Sequence, residues 1–357
     1  MAASAAVFVY WMYGRYAADI GMHWRGVLEI TSLNNIQDNL WRPGAPIDHL
    51  RARARVLAQI RRFFADRDVL EVETPVLSHC AVSDPFIDSL EVSFGFQPGI
   101  EDERLYLQTS PEYAMKRLLA AGSGDIYQMA KVFRNGESGR RHNPEFTMLE
   151  WYRLGLNDRQ LMDEVAALVT AVVPALPVRY LSYAELFERE LGLDPHRATR
   201  TQLQQCCRDH VDAPFDDDDR DTWLNLLMSH VLEPRLQGAV FIHSYPASMA
   251  ALAQVREDEQ GRQVAARFEL CVDGVELANG YHELTDAAEQ ARRLDADQQQ
   301  RAALGLPQRP LETRLVRALE AGMPDCAGVA LGVDRLVMLA LGVDNLEQVI
   351  SFMHAHA

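Results

Sequence analysis

An α+β fold is what this sequence predicts, from two hairpins and the amphipathic helices around them. The first hairpin spans Asp125 to Tyr152. Apolar residues crowd both of its ends, while Asn135 to Pro144 is rich in Gly, Ser, Asn and basic side chains, the composition of an exposed loop joining two strands. The second spans Ala265 to Tyr281 and carries Asp273-Gly274 between two apolar runs, the strongest short-range hairpin signal. Helical patterning is clearest from Ile47 to Asp66. There Leu50, Ala54, Leu57, Ile60 and Phe64 recur at helical spacing, and Arg51, Arg53, Arg55, Arg61 and Arg62 take the other faces as a solvated side.

A chain of 357 residues that is 48% hydrophobic and 24% charged is ordinary for a globular protein able to bury a large core. Its 35 Lys+Arg against 51 Asp+Glu give a net charge of -16, which works against unspecific binding to phosphate backbones and anionic membranes. Five scattered cysteines without CxxC spacing argue against a disulfide framework or structural zinc, and make a reducing cytoplasm the expected location. Ala5 to Tyr13 is apolar but far short of the ~20 residues of a membrane span, and no basic residue precedes it as a secretory signal requires. Residues 1–46 are therefore expected to be a poorly ordered extension ending in the linker Trp41 to Pro46, and residues 47–357 the functional domain.

After the first helix, Val69 to Leu77 reads as a short strand, with Pro75 suiting a sheet edge or an interface. Leu105 to Gln108 is a strand. A helix follows to Ala121, with Ser110 as cap, Pro111 in the first position, Glu112 in the first turn and Gly122 at its end. On the returning strand of the first hairpin, Phe146, Met148, Glu150 and Tyr152 share one face and Thr147, Leu149 and Trp151 the other. An aromatic plate, a carboxylate and a phenol thus stand in one row, with Arg134 entering from the partner strand. Helices are expected at 158–173, 182–191 and 222–232, the last led in by the capping acidic run Asp216 to Asp219, with a strand at Val240 to His243.

In the second hairpin a two-residue turn sets Cys271 opposite Glu276 and Glu269 opposite Ala278, placing Glu269 and Glu276 diagonally on one face. Such a pair repels unless a cation lies between, and Mg2+ arriving with a phosphate ligand is the natural candidate. Asn279-Gly280 reads as a bulge, Glu283 follows, and helices are expected at 285–304 and 311–322. Finally Gly328 to Gly332 is a strand entering an apolar helix with Arg335 in its first turn, where a positive side chain opposes the helix dipole and calls for a nearby anion.

These pieces together resemble the class II aminoacyl-tRNA synthetases, and within them the catalytic domain of lysyl-tRNA synthetase. A strand ending at Pro75, a hairpin from Phe133-Arg134 to Phe146, and Gly332-Val333-Asp334-Arg335 stand in the family's order, with Glu269, Glu276 and Asn279-Gly280 between the last two. The similarity runs from about residue 47 to the C-terminus and leaves no room ahead of it for an oligonucleotide-binding domain. The sequence is thus most similar to the stand-alone paralogues that attach (R)-β-lysine to a lysine of translation elongation factor P. The resemblance implies an antiparallel sheet flanked by helices, a homodimer using the region of Pro75, ATP and Mg2+ as cofactors, a lysine-type amino acid and elongation factor P as partners, and no tRNA.

It also implies roles. Arg134 would contact the ATP α-phosphate and the substrate carboxylate, and Arg335 the γ-phosphate, as the catalytic pair. Asn135, Gly136, Glu137 and Asn143 would lie along the nucleotide with Glu276 and Leu277, Phe146 would stack on adenine, and Gly332 would clear its approach. Glu269 and Glu276 would bind Mg2+. Ser110, Pro111, Glu112, Glu150, Tyr152, Asn279 and Glu283 would form the amino-acid pocket. Ala330 stands where lysyl-tRNA synthetases usually have Gly, a change that suits a β-amino acid. The family places Glu two residues after its motif Arg, whereas Gly136 stands here; either Glu137 substitutes at the adenine or that contact is lost. Two competing readings stay open. A truncated lysyl-tRNA synthetase is disfavoured by the negative charge. A non-catalytic amino-acid-binding regulatory paralogue is favoured by Gly136 and opposed by retention of Arg134, Arg335, Glu269 and Glu276.

Overall fold

A computed structural model describes residues 41–95, 103–174 and 176–357; the expected extension over residues 1–40 lies outside the described residues. The first elements are α1 (Ile47–Ala65), β1 (Leu70–Glu71), β2 (Leu77–Ser78), β3 (Glu91–Phe94), β4 (Glu103–Leu107), α2 (Glu112–Ala120), β5 (Ile126–Phe133), β6 (Glu145–Leu154) and α3 (Asp158–Val172). Next come β7 (Val178–Ser182), α4 (Tyr183–Leu191), α5 (Arg200–His210), α6 (Arg220–Leu227), β8 (Ala239–Pro246) and β9 (Val255–Glu257). The chain closes with β10 (Gln263–Val272), β11 (Val275–His282), α7 (Ala287–Ala303), α8 (Thr313–Glu320), β12 (Cys326–Gly332) and α9 (Val333–Leu341).

Among the described residues nine strands form one sheet in the order β1-β5-β6-β12-β11-β10-β8-β7, with β9 beside β10. It is antiparallel except at its two ends, where β1 runs parallel to β5 and β7 parallel to β8. The expected antiparallel sheet flanked by helices is therefore present. Its back face carries Leu149, Trp151, Val329, Leu331, Ala278, Leu270 and Phe268, buried against α1, α3 and α9 in the main core. Phe64 of α1 stacks on Tyr127 with ring centroids 4.3 Å apart and meets Trp151 edge-on at 5.4 Å. On the front face α4 to α6 cover the β8 end, and α2 and α8 cover the β5 end. The middle of the front face is left open between these two helical groups.

Several elements depart from their expected limits. The strand expected over Val69 to Leu77 is split into the two-residue β1 and β2, because Pro75 cannot donate to a ladder. β7 and α5 were not anticipated: β7 is a partly exposed edge strand, and α5 is so polar that it buries only Leu203, Gln204 and Cys207. Asp219 caps α6 through the Asp221 N–H, in keeping with the capping role read for the acidic run. The segment read as a linker packs against the C-terminal region: Ala45 is buried, and the Gly44 N–H donates to the Ser351 carbonyl at 3.0 Å.

Two corrections bear on the site. In the second hairpin Asp273 and Gly274 both take positive φ, 48° and 74°, as a two-residue turn of the predicted kind requires, and Cys271 does face Glu276. The register then shifts, so that Leu270 faces Ala278 and Glu269 faces Asn279 rather than Ala278. The extra residue is Leu277, not Asn279-Gly280. Leu277 and Ala278 both enter the main core, and that bulge brings Glu276 and Asn279 onto the same front face. The second correction concerns Arg53, which does not belong to a solvated side. Its guanidinium lies 2.5 Å from Asp334 Oδ1 and 2.9 Å from Thr147 Oγ1, and Asp334 Oδ2 accepts the Thr147 N–H at 2.9 Å. One carboxylate thereby ties α1, β6 and α9 together.

Asp334→Ala leaves a largely buried guanidinium without its counter-charge and a backbone N–H without its acceptor. It is expected to cost about 3–5 kcal/mol, read as a lowered denaturant midpoint, and Arg53→Met in the same chain should recover part of that loss.

Candidate active site

Ladder register assembles the front face. Glu150 on β6 stands opposite Ala330 on β12, which faces Asn279 on β11, which faces Glu269 on β10. One rung along, Tyr152, Gly328, Tyr281 and Arg267 face one another in the same way. Four strands distant in sequence thus place eight residues in two adjacent rows. Above them lies a cavity of about 1330 Å³, walled by the start of α2, by α7 and by the segment from Leu77 to Ser89. Ser110, Pro111, Glu112, Arg134, Glu150, Tyr152, Asn279, Glu283 and Ala330, all singled out in the sequence, line it.

The acid end is tightly bonded. Glu150 accepts from Ser110 Oγ at 2.5 Å and from the Tyr152 hydroxyl at 3.1 Å. Burial, and then the neighbouring Glu112 carboxylate, push Glu150 up to about 8 despite those two donors. Ser110 Oγ also accepts the Glu112 N–H at 3.0 Å, so the same hydroxyl holds the first residue of α2 and Glu150; the cap position itself falls to Pro111, one residue later than expected. Glu112 and Glu283 are joined by Lys116, whose Nζ lies 2.6 Å from each. Burial alone would lower Lys116, but the two carboxylates outweigh it and hold the ammonium above its ordinary range.

A second cluster lies around Arg335. Its guanidinium donates to the Glu276 carbonyl at 2.6 Å and to His142 Nε2 at 2.9 Å. His142 is held below its usual value by burial and then by Arg335, as suits a neutral acceptor nitrogen. Arg134 lies 3.5 Å from Glu137 and 5.3 Å from the centre of the Phe146 ring. Arg267 pairs with Glu269, donates to Asn279 Oδ1 at 3.3 Å, and lies 4.7 Å from the Tyr245 ring centre. Asn279 is thus held from one side by Arg267 while lining the cavity on the other.

Other residues named from the sequence stand back. Asn135 is bonded to Asp88 at 2.9 Å. Asn143 is buried, donating to the Glu145 carbonyl at 2.6 Å and accepting from the His354 N–H at 3.0 Å. Leu277 turns its side chain into the core on the opposite face. Gly136 takes φ 81° in the turn after β5, a conformation that favours glycine. Gly332 ends β12, where a side chain would meet only Arg335 at ordinary contact distance.

For a divalent metal the chain offers two front-face carboxylates. Glu276 is exposed, with no ion pair to its carboxylate among the described residues, and Glu269 already has Arg267 as counter-charge. No group of three or more His, Cys, Asp or Glu that could by itself hold a metal ion is found among the described residues. This donor set fits an ion that brings its remaining ligands on a phosphate chain, as Mg2+ does.

Sequence reasoning passed over Lys116, Arg267, Tyr281 and His142. Lys116 was visible as an i,i+4 partner of Glu112, and Arg267 as the residue two before Glu269 on the same strand face. His142 carried no signal, because the shape of its loop is set by tertiary contacts.

The model of the family described as tRNA synthetases class II (D, K and N) matches residues 40–356. Among curated proteins, an elongation factor P--(R)-beta-lysine ligase of Salmonella paratyphi B is 50% identical over 316 residues, 87% of this chain and 97% of the relative. The protein of the same name from Salmonella typhimurium is 50% identical over 319 residues with the same coverage. With a family match over nearly its whole length and half of the aligned residues identical to those of such ligases, the chain is a ligase-type enzyme that belongs to the class II tRNA synthetases of the D, K and N kind.

Proposed function

We propose that this chain activates (R)-β-lysine, or lysine, with ATP to an aminoacyl-adenylate and transfers it to the ε-amine of a lysine on translation elongation factor P. The observation that carries this reading is the meeting of Glu112, Glu150 and Glu283 with Arg134 in one cavity. Carboxylates at one end and a guanidinium at the other suit a diamino acid. The β-amino acid and the acceptor are those in the name of the relatives that are 50% identical to this chain.

The substrate carboxylate is anionic at neutral pH and needs no general base to attack the α-phosphate. Catalysis is then positioning and charge neutralisation. Arg134 orients carboxylate and α-phosphate, with its guanidinium beside Phe146, on which adenine would stack. Arg335, fixed by the Glu276 carbonyl and His142, meets the outer phosphates. Mg2+ would be held by Glu269 and Glu276 with phosphate oxygens and would neutralise charge on the triphosphate. Gly136 and Gly332 leave room for the nucleotide, along which Asn135, Glu137, Asn143 and the backbone of Leu277 would run. Ala330 places a methyl group between Asn279 and Glu150, narrowing the floor under the amino acid.

Leu70, Val76 and Leu77, next to Pro75 along the chain, leave large apolar side chains exposed, the surface on which a second copy would dock. No helix among the described residues is long and apolar enough to cross a membrane. Modification of a translation factor would place the enzyme in the cytoplasm, acting on a protein rather than on tRNA.

Arg335→Ala and Glu276→Ala should each lower lysine-dependent ATP–pyrophosphate exchange by about 100-fold or more while leaving thermal unfolding little changed; full exchange in both variants would refute these roles. Elongation factor P incubated with the chain, ATP, Mg2+ and each lysine isomer should gain the mass of one lysyl group, most rapidly with (R)-β-lysine. An unchanged mass beside normal exchange would overturn the acceptor assignment.

Glu150 sits at about 8 in the folded chain against an ordinary value near 4.5, so the empty pocket carries a proton there at neutral pH. An ammonium ligand needs the carboxylate. The KM for lysine should therefore fall as pH rises toward 8, by about tenfold per unit for this group, and Glu150→Gln should reduce that slope, the remainder coming from Glu283, which burial also raises. Because the folded state holds this proton and the unfolded chain releases it, stability should decline as pH rises from about 4.5 to about 8, less steeply in Glu150→Gln.

A further inference from the structure

The acid end of the cavity holds a cation of its own. Lys116 projects from α2 one turn beyond Glu112, and its side chain is 1% exposed. The other buried residues of α2 are Met115 and Leu119, so an ammonium here lies among apolar neighbours and costs desolvation. It does not reach the cavity, whereas both of its carboxylate partners do. The contacts divide the oxygens: Lys116 takes Glu112 Oε1 and Glu283 Oε2. Glu283 Oε1 is left against Gly328, which is part of the cavity lining, and Glu112 keeps its second oxygen for a ligand.

Counting charges gives this arrangement a purpose. Glu112, Glu150 and Glu283 bring three carboxylates, and Lys116 brings one ammonium. Fully ionised, the group carries two negative charges, the number that the two ammonium groups of a diamino acid neutralise. Without Lys116 a diamino acid would leave one buried carboxylate uncompensated, which a low-dielectric site opposes.

We propose that Lys116 is a positioning and specificity-determining residue: it sets at two the number of ammonium groups the pocket accepts and holds Glu112 and Glu283 at a fixed spacing to receive them. This rests on the amino-acid site proposed above. Lys116 acts through the two carboxylates, so its removal is felt in substrate affinity, and a small amine that reoccupies the vacated space should restore what was lost.

The test uses the full chain and lysine-dependent ATP–pyrophosphate exchange. In Lys116→Ala the KM for lysine should rise roughly 100-fold with a smaller change in kcat. Added ethylammonium should lower that KM by about tenfold or more, on the scale of a restored buried charge pair, while ethanol does nothing. A KM like that of the unaltered chain, or equal responses to ethylammonium and ethanol, would overturn the proposal. Should Lys116→Ala fail to fold, a second comparison decides. Glu283→Gln leaves the pocket with one net negative charge, while Lys116→Met/Glu283→Gln restores two, so the double variant should bind lysine several-fold more tightly than the single one. Weaker binding by the double variant, or its failure to fold, would assign Lys116 a merely structural role. Absence of exchange in the unaltered chain would fail the amino-acid reading and this inference with it; an active unaltered chain without rescue fails this inference alone.

Discussion

Antiparallel register is the constraint on which the rest depends. Side chains opposite one another in adjacent strands share a face, so the pairing of β6, β12, β11 and β10 decides which residues meet above the sheet. The bulge at Leu277 is the adjustment that makes the pattern work. With strict alternation Glu276 would share its face with Ala278 and Gly280, and Asn279 would point into the core. The inserted residue sends Leu277 and Ala278 together into the core and returns Asn279, Tyr281 and Glu283 to the side that carries Glu276. One extra residue thereby joins the Arg335 cluster to the acid pocket on a single strand.

Electrostatics then explains why this face is left uncovered by helices. Acids and guanidiniums in its middle cannot serve as a packing surface, so α4 to α6 and α2 with α8 gather over the apolar ends of the sheet. What remains between them is not a loose collection of charges. Glu112 and Glu283 are bound to Lys116, Glu269 to Arg267, Arg134 to Glu137, and Asp334, behind the sheet, to Arg53. Glu150 has hydrogen-bond donors but no cation among the described residues, and burial and then Glu112 raise its carboxyl to about 8; burial raises Glu283 as well, against the pull of Lys116. A bound ammonium would supply what Glu150 lacks.

Much of this was legible in the sequence, for physical reasons that can be named. Two-residue periodicity placed Glu150 and Tyr152 on one face and Leu149 and Trp151 on the other, and Asp273-Gly274 located the second turn. The bulge was misplaced because Leu277 and Ala278 look, in sequence, like any apolar pair; only the competition of both side chains for the core reveals the extra residue. Helical periodicity ranks Arg53 with the other, solvated arginines of α1, and its partner Asp334 lies nearly the whole domain away in sequence. Strand β7 and helix α5 escaped notice because neither shows a strong apolar stripe, their burial being supplied by β8 and α6 instead.

The small residues of β12 complete the argument from register to recognition. Gly328 and Ala330 face the cavity between the acid strand β6 and the amide strand β11. A side chain at Gly328 would run into both the Tyr152 ring and the Glu283 carboxylate, so glycine there is what lets these two groups approach each other across an intervening strand. At Ala330 a single methyl is tolerated, and it raises the floor between Glu150 and Asn279. The acids on either side of β12 set the charge of the guest, while β12 itself sets how deep that guest can lie. A substitution that enlarged Ala330 would therefore act on the shape of the amino acid accepted without altering the count of charges that binds it.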